Sequence, residues 1–111
     1  HKLREESIKL SDLFINMVEQ TCSDLHLESP IKSSERGSQV SFSHPSGYAI
    51  MQALIDRNIV GDFRAPNIIR FGITPLYINE EDIIQTVMVL KNILSNRLWD
   101  NPAYLNRKKV T

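Results

Sequence analysis

The sequence predicts an α+β fold: a small antiparallel sheet of about three to four strands with helices packed on one face. Three observations predict it. Apolar residues recur at three- and four-residue spacing in three separate stretches, as on one face of a helix. Between those stretches lie short segments that alternate polar and apolar, the period of a half-buried strand. One turn signal, Ala65-Pro66-Asn67-Ile68, joins two such segments directly, which makes that pair antiparallel. With 111 residues the chain is a single domain, residues 1–111, large enough for a real core.

The first helix covers roughly residues 3–22, with Leu10, Leu13, Phe14, Met17, Val18 and Thr21 as its stripe. Lys9, Asp12, Asn16, Glu19 and Gln20 fall on or near the other side. Residues 23–37 contain Ser29-Pro30, Ser33-Ser34 and Gly37 and read mostly as loop, with room for a short edge strand near Leu25–Leu27. Gln39-Val40-Ser41-Phe42-Ser43 reads as a strand with Val40 and Phe42 facing the core. His44-Pro45-Ser46-Gly47 breaks it, and Ser46 is a plausible N-cap for a second helix through about Arg57. Ile50, Met51, Leu54 and Ile55 supply the buried stripe of that helix.

Residues 59–64 read as the next strand. The turn at 65–68 fits type I, with proline second and asparagine third. Residues 68–73 return antiparallel. Asn79 caps a third helix whose first turn holds Glu80, Glu81 and Asp82, acids that suit the helix dipole. Ile83, Ile84, Val87, Leu90, Ile93 and Leu94 form its apolar face, up to about Leu98. The tail after Trp99 is polar and reads as irregular.

The totals exclude several function classes. Lys+Arg and Asp+Glu are 13 each, so no net field draws the chain to nucleic acid or anionic lipid. The Arg107-Lys108-Lys109 cluster is too short to alter that. The one cysteine, Cys22, cannot form an internal disulfide, which suits a reducing, cytoplasmic setting. It reads as a small apolar helix residue rather than a reactive thiol, since no activating neighbour stands near it. No apolar run is long enough to cross a membrane. The chain starts at His1, already inside a helix, which suggests a piece of a longer polypeptide.

One residue stands out. Along 68–73, Ile69, Phe71 and Ile73 point to the core, whereas Ile68, Arg70 and Gly72 point away. A charge in an otherwise apolar strand needs an anion. The bland reading is a structural ion pair with Asp62, Asp56 or Glu35, or a simple surface arginine. The functional reading is a ligand carboxylate, which a guanidinium matches in two parallel bonds. Gly72 favours it, because a strand glycine often marks a close approach by another group. Arg64 is a weaker candidate beside a wet turn. His44 reads as a turn residue rather than a base, since no carboxylate or nucleophile lies at a telling spacing. Neither of the usual Gly-rich phosphate loops, nor a metal spacing, nor a nucleophile elbow occurs. An anion-binding arginine without catalytic apparatus suggests part of a site.

The residues carry a resemblance. Gly37–Ser41, His44-Pro45 with Tyr48-Ala49-Ile50, Gln52–Ile55, Gly61–Pro66, Ile69–Gly72 and Thr74–Tyr77 closely resemble the C-terminal end of bacterial kynureninases. The similarity runs over nearly the whole chain, and the blocks 37–41 and 61–77 are specific together. It implies the C-terminal small domain of a homodimeric enzyme that uses pyridoxal 5′-phosphate (PLP), of the aspartate-aminotransferase type of fold. Such an enzyme hydrolyses L-kynurenine, or its 3-hydroxy form, to anthranilate, or 3-hydroxyanthranilate, and L-alanine, in tryptophan catabolism and the kynurenine pathway towards NAD. It implies that Arg70 holds the substrate's α-carboxylate. It places the Schiff-base lysine and the phosphate-binding residues in a large domain outside this chain. None of Lys2, Lys9, Lys32, Lys91, Lys108 and Lys109 stands in a context like the family's cofactor lysine. The chain alone is therefore expected to bind no PLP and to be inactive. Ile73 departs from the phenylalanine expected in many relatives. Two other readings remain: a non-catalytic interaction module, and the small domain of another enzyme of this fold, an aminotransferase or desulfurase. The 61–64 and 74–77 blocks argue against the latter.

Overall fold

A computed structural model describes residues 2–30, 39–75 and 77–105. The elements are α1 (Lys2–Thr21), β1 (His26–Leu27), β2 (Gln39–Ser43), α2 (Gly47–Asp56), β3 (Asp62–Arg64), β4 (Ile68–Gly72), α3 (Glu80–Ser95) and α4 (Pro102–Leu105). The four strands form one sheet in the order β1-β2-β4-β3, with every pair antiparallel. The expected α+β class is therefore what the chain adopts.

Alternation decides which face of the sheet is covered. Val40 and Phe42 of β2, and Ile69 and Phe71 of β4, are buried together with residues of α1, α2 and α3. Phe14 of α1 meets Phe42 and Phe71 edge to face, with ring centroids 5.8 and 5.0 Å apart. Such pairs add to the stabilisation that burial alone gives. The other face, with Ser41, Ser43, Arg70 and Asp62, remains at least partly open.

The buried stripe of α1 lies further round than the expected one. Leu10, Phe14 and Val18 are buried as expected and Leu13 and Met17 half-buried, but Ser7, Ser11, Ile15 and the following Cys22 join the buried side and Thr21 is exposed. The serines escape a hydropathy reading because each hydroxyl finds a backbone carbonyl, one within the helix and one across the fold. Ser11 Oγ donates to the Ile8 carbonyl at 3.1 Å, and Ser7 Oγ donates to the Ile73 carbonyl at 3.4 Å. Thr21 instead donates to the Met17 carbonyl from the surface.

Helix α2 buries Ile50, Met51 and Leu54 as expected, but adds Ala49 and Ala53 and leaves Ile55 exposed. Ser46 sits at its N-cap without a side-chain cap bond. The N–H of Ser46 itself is held by His44, whose Nδ1 accepts from it at 2.9 Å. At the other end Asn58 adopts φ 67°, and Asn58 and Ile59 donate back to the carbonyls of Ile55 and Leu54. This is a Schellman termination, with asparagine in the left-handed position. It consumes Ile59, so β3 starts at Asp62 and not at 59. The Ala65–Pro66 peptide in the following turn is cis, a feature the turn signal did not include.

Asn79 caps α3 in a reciprocal capping box with Asp82, at 2.9 and 3.0 Å. Ile83, Val87, Leu90, Ile93 and Leu94 are buried; Ile84 is exposed. The helix ends at Ser95, three residues short of the expected limit, in a second Schellman turn with Arg97 at φ 49°. The stretch after Trp99 is not irregular throughout. Asn101 accepts from the Ala103 N–H, Pro102 takes the first helical position, and α4 follows. Tyr104 then donates to Asp56 at 2.7 Å and so ties α4 to α2.

Candidate functional site

Arg70 lies mid-strand on the open side of β4, with Ser41 of β2 opposite on one flank and Asp62 of β3 opposite on the other. Direct opposition across the β3–β4 hairpin brings the two charges together. Nε of Arg70 donates to one Asp62 oxygen at 2.6 Å and Nη2 to the other at 2.7 Å. That is the in-plane fork that guanidinium and carboxylate favour. The Arg70 side chain keeps 25% of its exposure and that of Asp62 keeps 51%. The bonds from Arg70 hold the Asp62 carboxyl below its ordinary value against an opposing desolvation, with Arg64 adding a smaller pull. The same bonds raise Arg70, which stays charged throughout.

Of the three anions that the pattern allows, the hairpin register selects Asp62. Asp56 is engaged by Tyr104 instead, and Glu35 lies outside the described residues. The pair does not exhaust Arg70. A guanidinium has five N–H donors, and Asp62 takes one from Nε and one from Nη2. Both protons of Nη1 and one of Nη2 have no partner among the described residues. They form a second fork on the adjacent edge of the group.

An open pocket of about 540 Å³ lies at this pair, lined by Gln39, Asp62, Arg70, Gly72, Thr74 and Tyr77 among others. A Cβ added at Gly72 would meet nothing within 4 Å. Nothing among the described residues therefore requires glycine at 72. Gly61 is the opposite case. A Cβ there would sit 2.7 Å from the Arg70 carbonyl oxygen and 3.0 Å from Met51 Cε. Its bareness lets the start of β3 close on β4, next to the residue that pairs with Arg70. Val60 and Tyr77, at 89% and 83% exposure, give the pocket an apolar rim.

The remaining candidates separate clearly. Arg64 is exposed, as its turn position suggested. His44 is a turn residue whose ring also stands edge-on to Trp99 at 5.9 Å. Burial pushes its pKa down. Cys22 is buried, and burial raises its thiol, with Thr21 bonding opposing. Such a thiol is not poised for attack. Among the described residues no group of three or more His, Cys, Asp or Glu could hold a metal, and no helix is long and apolar enough to cross a membrane. Sequence reasoning missed the Asp56–Tyr104–Arg57 cluster, in which Arg57 Nη1 donates to the Ala53 carbonyl at 2.9 Å and to Tyr104 at 3.4 Å.

By fold and site this is a small α+β domain whose open sheet face presents a half-used guanidinium at a pocket. The profile of the kynureninase C-terminal domain matches residues 3–90, and the chain belongs to that family. It is 47% identical over 111 residues to the kynureninase of Pseudomonas fluorescens, covering 98% of this chain and 27% of the relative. It is 44% identical over 113 residues to those of Burkholderia mallei (strain SAVP1) and Burkholderia pseudomallei (strain K96243), covering all of this chain and 27% of each. The chain thus spans about a quarter of the length of these relatives.

Proposed function

We propose that the chain is the small domain of a PLP-dependent kynureninase and that Arg70 holds the substrate's α-carboxylate. The observation that supports this most is that Arg70 lines a pocket together with Gly72 while its Nη1 has no partner among the described residues. Two parallel N–H···O bonds from Nη1 and Nη2 would fix a planar carboxylate there without displacing Asp62. Held in that way, kynurenine or 3-hydroxykynurenine has its Cα end fixed in angle as well as in place, which is what a positioning group contributes to rate. The cofactor, when bound, supplies the electron sink for cleavage.

No lysine with a described side chain offers the pocket a Schiff-base partner for PLP. Of the lysines in the described part with described side chains, Lys9 and Lys91 are exposed on helices, and neither lines the Arg70 pocket. The reading therefore assigns the cofactor, the bond-breaking chemistry and much of the dimer contact to a large domain, in a cytoplasmic homodimer. Alone, this chain turns over no kynurenine and gains no cofactor absorbance when mixed with PLP.

Steady-state kinetics of Arg70→Ala in the full-length polypeptide test the proposal. The expected loss is about 100-fold or more in kcat/KM, on the scale of a carboxylate left unpaired in a closed site. An unchanged kcat/KM refutes it. Arg70→Lys is expected to rescue only part, because an ammonium lacks the flat fork. One observation favours a second reading, in which Arg70 only staples the hairpin: its bidentate bond to Asp62. On that reading Arg70→Ala lowers stability and leaves kinetics intact.

A further inference from the structure

We infer that Asp62 is a positioning residue for substrate recognition, acting only through Arg70; the inference rests on the reading of Arg70 as the carboxylate clamp. An arginine side chain has many rotamers, and a clamp that must be ordered by its ligand loses binding free energy to that ordering. Asp62 removes the freedom beforehand. Both of its oxygens are engaged, one on Nε and one on Nη2, so the guanidinium is fixed in plane as well as in place. The choice of edge matters. Had Asp62 taken the Nη1–Nη2 edge, the outward fork would be lost. By taking the Nε side it leaves that fork whole.

The position of Asp62 is itself fixed by backbone. It is the register partner of Arg70, and the bare Gly61 before it allows the chain to lie against the Arg70 carbonyl. Its carboxyl stays ionised because Arg70 stabilises the charged form. Asp62 also places a negative charge near an incoming carboxylate. It therefore opposes simple attraction, and its contribution is orientation.

The test is a double-mutant cycle in the full-length polypeptide with kynurenine as substrate, read in kcat/KM, with Tm followed in parallel. Asp62→Ala alone is expected to lower kcat/KM by about 10-fold, and Asp62→Asn, which keeps the shape and one acceptor, by less. In the Arg70→Ala background, Asp62→Ala is expected to change kcat/KM by no more than about twofold, because the group it orients has gone. A purely structural Asp62 would move Tm in both backgrounds and kcat/KM in neither. If Arg70→Ala is crippled while both Asp62 variants stay within about twofold of the parent, the inference falls and the clamp stands. If the two losses add in full, Asp62 acts by itself and the inference falls too. If Arg70→Ala is unchanged, the clamp reading fails first.

Discussion

The two faces of β4 are one residue apart in sequence and obey different rules. Ile69 and Phe71 are buried under three helices and make no polar bond with their side chains. Arg70, between them, holds Asp62 in two short bonds at the lip of a pocket. The inner face is fixed by volume: any loss leaves a void in a packed interior. The outer face is fixed by direction, and losing a group there frees space that water fills. The lesson is that a stability screen reads the inner face of this strand, whereas an activity screen is the test of the outer one.

The sharpest way to break the contrast is Phe71→Ala. It removes one ring of the edge-to-face group with Phe14 and Phe42, and it is expected to cost about 3–5 kcal/mol in a denaturant titration. A cost no larger than that of a surface change would show that the inner face is not a packed interior. Gly61→Ala comes next, at about 1–3 kcal/mol, since the new methyl meets the Arg70 carbonyl and Met51. Gly72→Ala has the opposite sign on stability. The added methyl meets nothing, so the isolated chain should gain up to about 1 kcal/mol from a less flexible unfolded state. If the pocket takes a substrate, the same change lowers kcat/KM in the full-length protein. A gain in both measurements would sever Gly72 from the site.

The smallest expected effect concerns pH. Burial holds His44 below its ordinary value of 6.5, with Asp24 opposing. The unfolded chain then binds the proton more readily than the folded one. Stability should therefore fall as pH drops through 6.5 and level off below the folded-state value. Neutral Nδ1 accepts the Ser46 N–H, and protonation forfeits that bond. In thermal melts across this range, His44→Asn should flatten the slope.

Much of this was legible in the sequence because period and burial agree. Alternation in 39–43 and 68–73 named Val40, Phe42, Ile69, Phe71 and Ile73 as core, and all five are buried. The Asn79 cap needed no tertiary information. Other features were hidden for physical reasons. Ser7 and Ser11 read as polar, yet each finds a carbonyl and lies in the interior. Ile59 and Val60 have strand composition, but the termination of α2 claims Ile59 and leaves Val60 in solvent. The pattern showed that Arg70 needed an anion and offered three. Choosing among them required the hairpin register, which hydrophobic spacing alone does not fix. The half-used state of the guanidinium is a matter of bond geometry and has no trace in residue order.

The short helix near the C-terminal side looks disposable on hydropathy, and its phenol makes it otherwise. Tyr104 caps a carboxylate and meets a guanidinium at the far end of α2. Trimming the chain at Trp99 to make a smaller expression fragment would strip that brace from the helix that carries Met51, the side chain lying against Gly61. A truncation planned for convenience would thus loosen the scaffold behind the arginine, so a minimal folded fragment should keep the residues through Leu105.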